Sequence, residues 1–177
     1  MKRFAAACAS LVFLGAQALA QDDGTPAATS PPPPCASEPY HAFDFWIGEW
    51  TVTDPATGQL AGTNSIQPQE NGCLLVERWS GAGGSSGQSY NYFDPGKKVW
   101  RQLWISASSV IDYEGGLNQV GAMVLEGKIH YRNGTSFDFR GTWTPHDDGS
   151  VTQYFQQYNP DTRSWDDWFT GLYRKSK

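Results

Sequence analysis

Clusters of turn-forming residues cut this chain into short pieces, and no piece leaves room for a helix of ordinary length. They include Asp54-Pro55-Ala56-Thr57-Gly58, Glu70-Asn71-Gly72, Asp94-Pro95-Gly96-Lys97, Glu114-Gly115-Gly116, Arg132-Asn133-Gly134, His146-Asp147-Asp148-Gly149 and Asn159-Pro160-Asp161-Thr162. Gly tolerates positive φ, Pro fixes φ, and Asn and Asp bond the backbone just ahead of them, so each cluster reads as a reversal of the chain. The stretches 43–53, 73–80, 88–93, 98–106, 121–131, 135–144, 150–158 and 165–174 lie between them and read as strands. The expected fold is all-β. Consecutive hairpins give an antiparallel meander of roughly eight to ten strands. Closing it into an up-and-down barrel removes the edges that so wide a sheet would expose.

Composition points the same way. Charged residues are 18% of the 177, below the roughly 25% of ordinary soluble domains, and aromatics reach 14% with eight Trp. Polarity therefore comes from Gly, Ser, Thr, Gln and Asn rather than from the Lys and Glu of surface helices. The formal charge of −5 argues against a nucleic-acid partner, whose phosphates require a basic surface.

The N-terminus carries an export pattern. Lys2 and Arg3 precede an apolar run from Phe4 to Leu19, and Ala18-Leu19-Ala20 is a small-x-small cleavage site before Gln21. Residues 1–20 are expected to be a signal peptide, with a signal anchor as the alternative. The protein is then periplasmic or secreted, without an integral membrane segment after cleavage. Loss of Lys2 and Arg3 takes the net charge from −5 to −7. Cys8 leaves with the signal, so Cys35 and Cys73 remain. In an oxidising compartment they either form one intramolecular disulfide or stay as two free thiols. Residues 21–39, with Pro26, Pro31-Pro32-Pro33-Pro34 and Pro39, have few apolar side chains to bury and read as an extended linker. The barrel domain is expected over 40–177.

Gly48-Glu49-Trp50 sits on the expected first strand, and Arg174 lies near the end of the last. This G-x-W resembles the lipocalin and calycin superfamily. That resemblance implies Gly48, Trp50 and Arg174 as structural residues, with Trp50 plugging one end of the barrel and packing on Arg174. More widely, residues 43–174 resemble a family of exported bacterial lipocalin-like proteins, catalogued as a domain of unknown function. Phe43 to Trp50, Asn71 to Trp79, Phe93-Asp94-Pro95, Trp100 to Trp104, Met123 to Gly127, Arg140 to Trp143 and Gly149 to Gln153 carry it. The resemblance implies a fold and no chemistry.

Alternation along the strands then sorts side chains into faces, taking Gly48 and Trp50 as inward. The lumen is expected to hold Trp79, Trp100, Trp104 and Trp168, with Glu77, Gln102, Gln153 and Arg140 as polar anchors. Such a pocket suits a small hydrophobic or aromatic molecule. The bland alternative is that the Trp residues fill a solid barrel in an envelope interaction protein. A third reading is a cofactor-free isomerase, lyase or hydrolase, with Glu77 as general base and Arg101 or Arg140 stabilising a developing anion. His41, His130 and His146 show no metal-ligand spacing, and no cofactor is expected. A related barrel type holds haem through one His, which makes His130 the only haem candidate. The run Gly81 to Gly87 reads as a flexible loop able to cover the barrel mouth.

Overall fold

Each turn cluster that carries an Asp or Asn at its first position closes in the same way. In the computed structural model, which describes residues 31–176, Asp94 Oδ1 accepts the backbone N–H groups of Gly96 and Lys97. Asn159 Oδ1 accepts those of Asp161 and Thr162. Asp54 Oδ1 does the same for Ala56 and Thr57. These side chains replace the backbone partners that a reversing chain loses.

The hairpins so defined build ten strands: β1 (Gly48–Thr53), β2 (Leu60–Gln69), β3 (Leu74–Gly81), β4 (Ser86–Asp94), β5 (Val99–Ser106), β6 (Ser109–Leu117), β7 (Met123–Tyr131), β8 (Ser136–Pro145), β9 (Val151–Asn159) and β10 (Ser164–Lys175). Every strand pairs antiparallel with its sequence neighbours. β1 pairs with β10, with Trp50 opposite Lys175, and closes the barrel. The fold is the expected up-and-down barrel. The two Pro-containing hairpins, β4–β5 and β9–β10, pair as expected.

Two strands lie outside the sequence expectation. β2 contains Gly62, Asn64 and Pro68, and β6 contains the Glu114-Gly115-Gly116 cluster that reads as a turn. Gly115 is instead a strand residue packed against the next strand: a Cβ there would collide with the Val124 carbonyl. Residues 43–47 also differ, since Asp44–Trp46 form a 3-10 turn and β1 starts only at Gly48.

That N-terminal segment is the plug at one end of the barrel. Phe43 and Trp46 have no exposed surface. Phe43 stacks on Trp46 and meets Trp100 and Trp143 edge-on. The Trp100 indole N–H donates to Pro39 O at 2.9 Å, and Cys35 is disulfide-bonded to Cys73 beside the β2–β3 connection. Residues 35–39 are therefore attached to the barrel. The expected signal, residues 1–20, and linker residues 21–30 lie outside the described residues.

Trp50 plugs the same end but does not rest on Arg174. Lys175 Nζ sits 3.8 Å from the centre of the Trp50 ring and donates to Ile47 O. Arg174 points outward to an exposed ion pair with Asp148. The reason is a bulge in β10 between Asp167 and Phe169, which adds one residue and inverts the inside–outside parity beyond it. Gly171 and Tyr173 thereby point inward, and Leu172 and Arg174 outward.

Candidate functional site

From the plugged end to the open end, the lumen has three layers. The first is the apolar plug just described. The second is a belt of polar side chains at mid-barrel. The third is an aromatic mouth that leaves a cavity of about 450 Å³.

The belt is one connected chain of hydrogen bonds across seven strands. The Tyr113 hydroxyl (β6) donates to Gln102 Oε1 (β5), and Gln102 Nε2 donates to Asn91 Oδ1 (β4). Asn91 Nδ2 donates to Ser89 Oγ at 2.8 Å, and Ser89 Oγ donates to Glu77 Oε2 (β3) at 2.5 Å. Asn64 Nδ2 (β2) donates to Glu77 Oε1 at 2.7 Å and to the Tyr173 hydroxyl (β10) at 3.2 Å. Tyr173 in turn donates to Gln153 Oε1 (β9) at 2.6 Å. All eight residues are buried. Neighbouring strands place them side by side: Glu77 is opposite Ser89, Asn91 opposite Gln102, and Gln102 opposite Tyr113. A network this extensive fixes the rotamers of its members.

Glu77 is the charged member. It is 3% exposed, and burial pushes its carboxyl up to about 7, against the bonds from Ser89 and Asn64 that favour the carboxylate. Burial also raises the Tyr113 and Tyr173 hydroxyls well above the ordinary phenol value, and the Glu77 charge adds to the rise. Both phenols are therefore donors at neutral pH.

The mouth is built by Trp79, Trp104, Phe155, Trp168 and Phe169 above this floor. Two indoles lie against neighbouring strands because those strands carry glycine: a Cβ at Gly62 would strike Trp79, and one at Gly87 would strike Trp104. The β10 bulge lets Trp168 and Phe169, adjacent in sequence, both face the cavity. Trp168 packs edge-on against Phe139 at 5.4 Å and donates its indole N–H to the Tyr131 hydroxyl. At 46% exposed it forms part of the rim. The β3–β4 connection is also part of the rim. The run Gly81 to Gly87 there contains only a short hydrogen-bonded turn, with Gly81 N–H donating to Ser85 O and Gly84 N–H to Gly81 O, and its two ends belong to β3 and β4.

Of the residues expected to line the pocket, the structure brings together Glu77, Trp79, Gln102, Trp104, Gln153 and Trp168. Trp100 shares the inward face but lies at the plugged end, where its indole is tied to Pro39. Arg140 is on the outer face, its guanidinium 4.3 Å from the centre of the Trp165 ring and its Nε donating to Gln156. Arg101 also points outward, donating to Asp112 at 3.0 Å, with Glu114 at 3.4 Å. Neither arginine can stabilise an anion in the lumen. His130 is exposed on the outer face of β7, which removes it as an axial ligand inside the barrel. The cavity speaks against the alternative of a barrel filled solid by its Trp residues.

Asn64, Ser89, Asn91, Tyr113 and Tyr173 of the belt, and Phe169 of the mouth, are residues that strand-by-strand reading misses, while alternation puts Phe155 on the face of Gln153 without singling it out. Inward parity on β2 and β6 would have signalled Asn64 and Tyr113, had those strands been recognised. Outside, the barrel carries ion pairs such as Arg101–Asp112 and Lys128–Asp138. Charge pairs thus occupy an outer face on which a membrane-spanning barrel carries an apolar band. No helix among the described residues is long and apolar enough to cross a membrane. Compared with models of protein families the chain matches none, and no curated protein sequence matches it.

Proposed function

We propose that this protein binds a small, largely hydrophobic or aromatic molecule in the open half of its barrel. The observation that carries this is the cavity of about 450 Å³, walled by aromatic side chains over a buried polar floor. Its size and lining match those of small-molecule sites, which are mostly apolar with a few placed polar groups. The apolar plug and the disulfide support a preformed site, since they brace the barrel without occupying the mouth. We read the chain as an exported relative of the bacterial lipocalin-like proteins. Its N-terminal pattern and the Cys35–Cys73 disulfide support that compartment, and the G-x-W on β1 supports the relationship.

Catalysis with Glu77 as base is the second reading, favoured by a carboxyl that titrates near neutrality. It has lost its anion stabilisers, because Arg101 and Arg140 face outward. Binding is the better supported function.

The test is titration with N-phenyl-1-naphthylamine, a neutral apolar fluorophore. Saturable emission enhancement at one equivalent is expected, with affinity at least about 10-fold weaker in Trp104→Ala, since a buried indole contributes well over 1.4 kcal/mol. Unsaturable enhancement, or equal affinity in the variant, would overturn the proposal.

A further inference from the structure

The lumen holds a buried carboxyl group and, among the described residues that line the cavity, no Lys, Arg or His to neutralise it. Buried charges in proteins are ordinarily paired, and the barrel has cations in quantity. None of them lines the cavity: Arg101 and Lys128 are in outer-face ion pairs, Arg140 is stacked on Trp165, Lys175 is over Trp50 at the plugged end, and Arg132, exposed, donates to the Ser106 and Ala107 carbonyls at the rim. The groups facing Glu77 are neutral on every strand that packs against it. They are Asn64 from β2, Ser89 from β4, Gln102 from β5, Tyr113 from β6, Gln153 from β9 and Tyr173 from β10.

Aromatic side chains line the same cavity as the carboxyl. Trp79, two residues further along β3, and Trp104 on β5 line the cavity with it, and Phe155, Trp168 and Phe169 complete the enclosure. An aromatic face is the negative end of a quadrupole and attracts a cation, most strongly when water is excluded. It offers nothing comparable to an anion. A carboxylate at the base of an aromatic enclosure is thus complementary to one charge type only. Beside Glu77, though outside the cavity lining itself, Asn64 Oδ1 is a buried acceptor with no hydrogen-bond partner among the described residues.

We propose that the ligand is a small organic cation, an aromatic or alkyl amine whose ammonium group sits on Glu77 and whose apolar body lies among the indoles. This rests on the reading of the lumen as a ligand site and names the chemistry of what enters it. The ammonium supplies the counter-charge that the fold withholds. Binding draws Glu77 into its ionised form, so occupancy by a cation releases a proton from any barrel whose Glu77 is protonated. Affinity for an amine therefore rises as pH increases through 7 and falls again once the amine itself loses its proton. A neutral ligand of the same shape has no such dependence.

The experiment is isothermal titration calorimetry of the full chain with three compounds of one shape: 2-phenylethylamine, 2-phenylethanol and 3-phenylpropionate. At pH 8 the amine is expected to bind at least about 10-fold more tightly than the alcohol, with no measurable binding of the carboxylate. Lowering the pH to 5.5 is expected to weaken the amine about 10-fold and leave the alcohol unchanged. In Glu77→Gln the amine should fall to the affinity of the alcohol. Equal affinity of amine and alcohol in the wild-type protein, or a preference for the carboxylate, overturns the cation assignment while leaving the lumen a binding site. A charge preference that survives Glu77→Gln also overturns it. If none of the three binds and N-phenyl-1-naphthylamine fails as well, both readings fall. The wild-type comparison needs no variant to fold.

Discussion

Glu77 is a residue whose presence costs the fold stability. Its carboxyl titrates near 7 in the folded barrel and near 4.5 when solvated. Below 4.5 both states are neutral and it has no effect. As pH rises from there, the unfolded chain ionises first and gains, so stability falls until the folded group also ionises near 7. The full cost is about 3 kcal/mol above that pH. Thermal melts of the wild-type protein should therefore drop by about 10 °C between pH 5 and 8, at roughly 3 °C per kcal/mol for a domain of this size. Glu77→Gln should flatten the curve, and an equal drop in both proteins would refute the assignment. Lys175 gives a second test at this scale. Lys175→Ala removes a cation over Trp50 and a bond to Ile47 O, and should cost about 1–2 kcal/mol in urea unfolding. Arg174→Ala breaks only an exposed pair with Asp148, and should stay within about 0.5 kcal/mol. The reverse ranking would restore Arg174 as the partner of Trp50.

At the scale of elements, the plug depends on a covalent tie. Cys35 and Cys73 are 38 residues apart, and a closed loop of that length contributes about 4 kcal/mol by the chain-entropy estimate. Replacing both cysteines by Ser should lower the melting temperature by about 10 °C, with near-ultraviolet dichroism reporting loosened packing of Phe43, Trp46 and Trp100. An unchanged melt would show that the aromatic packing alone holds the plug. The strands themselves were unequally legible. β5 and β8 declare themselves through aromatic and β-branched residues, whereas β2 carries Gly62, Asn64 and Pro68 and β6 carries paired glycines. Their propensity is poor because their side chains serve something else. Asn64 completes the belt, Gly62 makes room for Trp79, and Gly115 allows close approach to β7. Tertiary packing overrides local preference there.

At the scale of the whole barrel, the fold is a tube sealed at one end by an apolar plug and open at the other through an aromatic mouth, with a polar belt and an acid between them. Sequence alone determined the all-β class, the hairpin meander and the pockets of turn chemistry, because these follow from local rules about Gly, Pro, Asn and Asp. It also placed Glu77, Gln102 and four cavity-facing aromatic or amide residues on shared faces, since alternation within one strand needs no knowledge of its neighbours. Which end each residue occupies was not local information. Trp100 and Trp104 share a face four residues apart, yet one is in the plug and the other in the mouth. Nor could the sequence announce the β10 bulge, which moved Arg174 outside and brought Lys175 beneath Trp50. The belt was likewise hidden, because the chain of bonds from Tyr113 to Gln153 becomes continuous only once β1 and β10 have met and Asn64 reaches Tyr173. Closure is a global event, and it is closure that turned scattered inward side chains into a site.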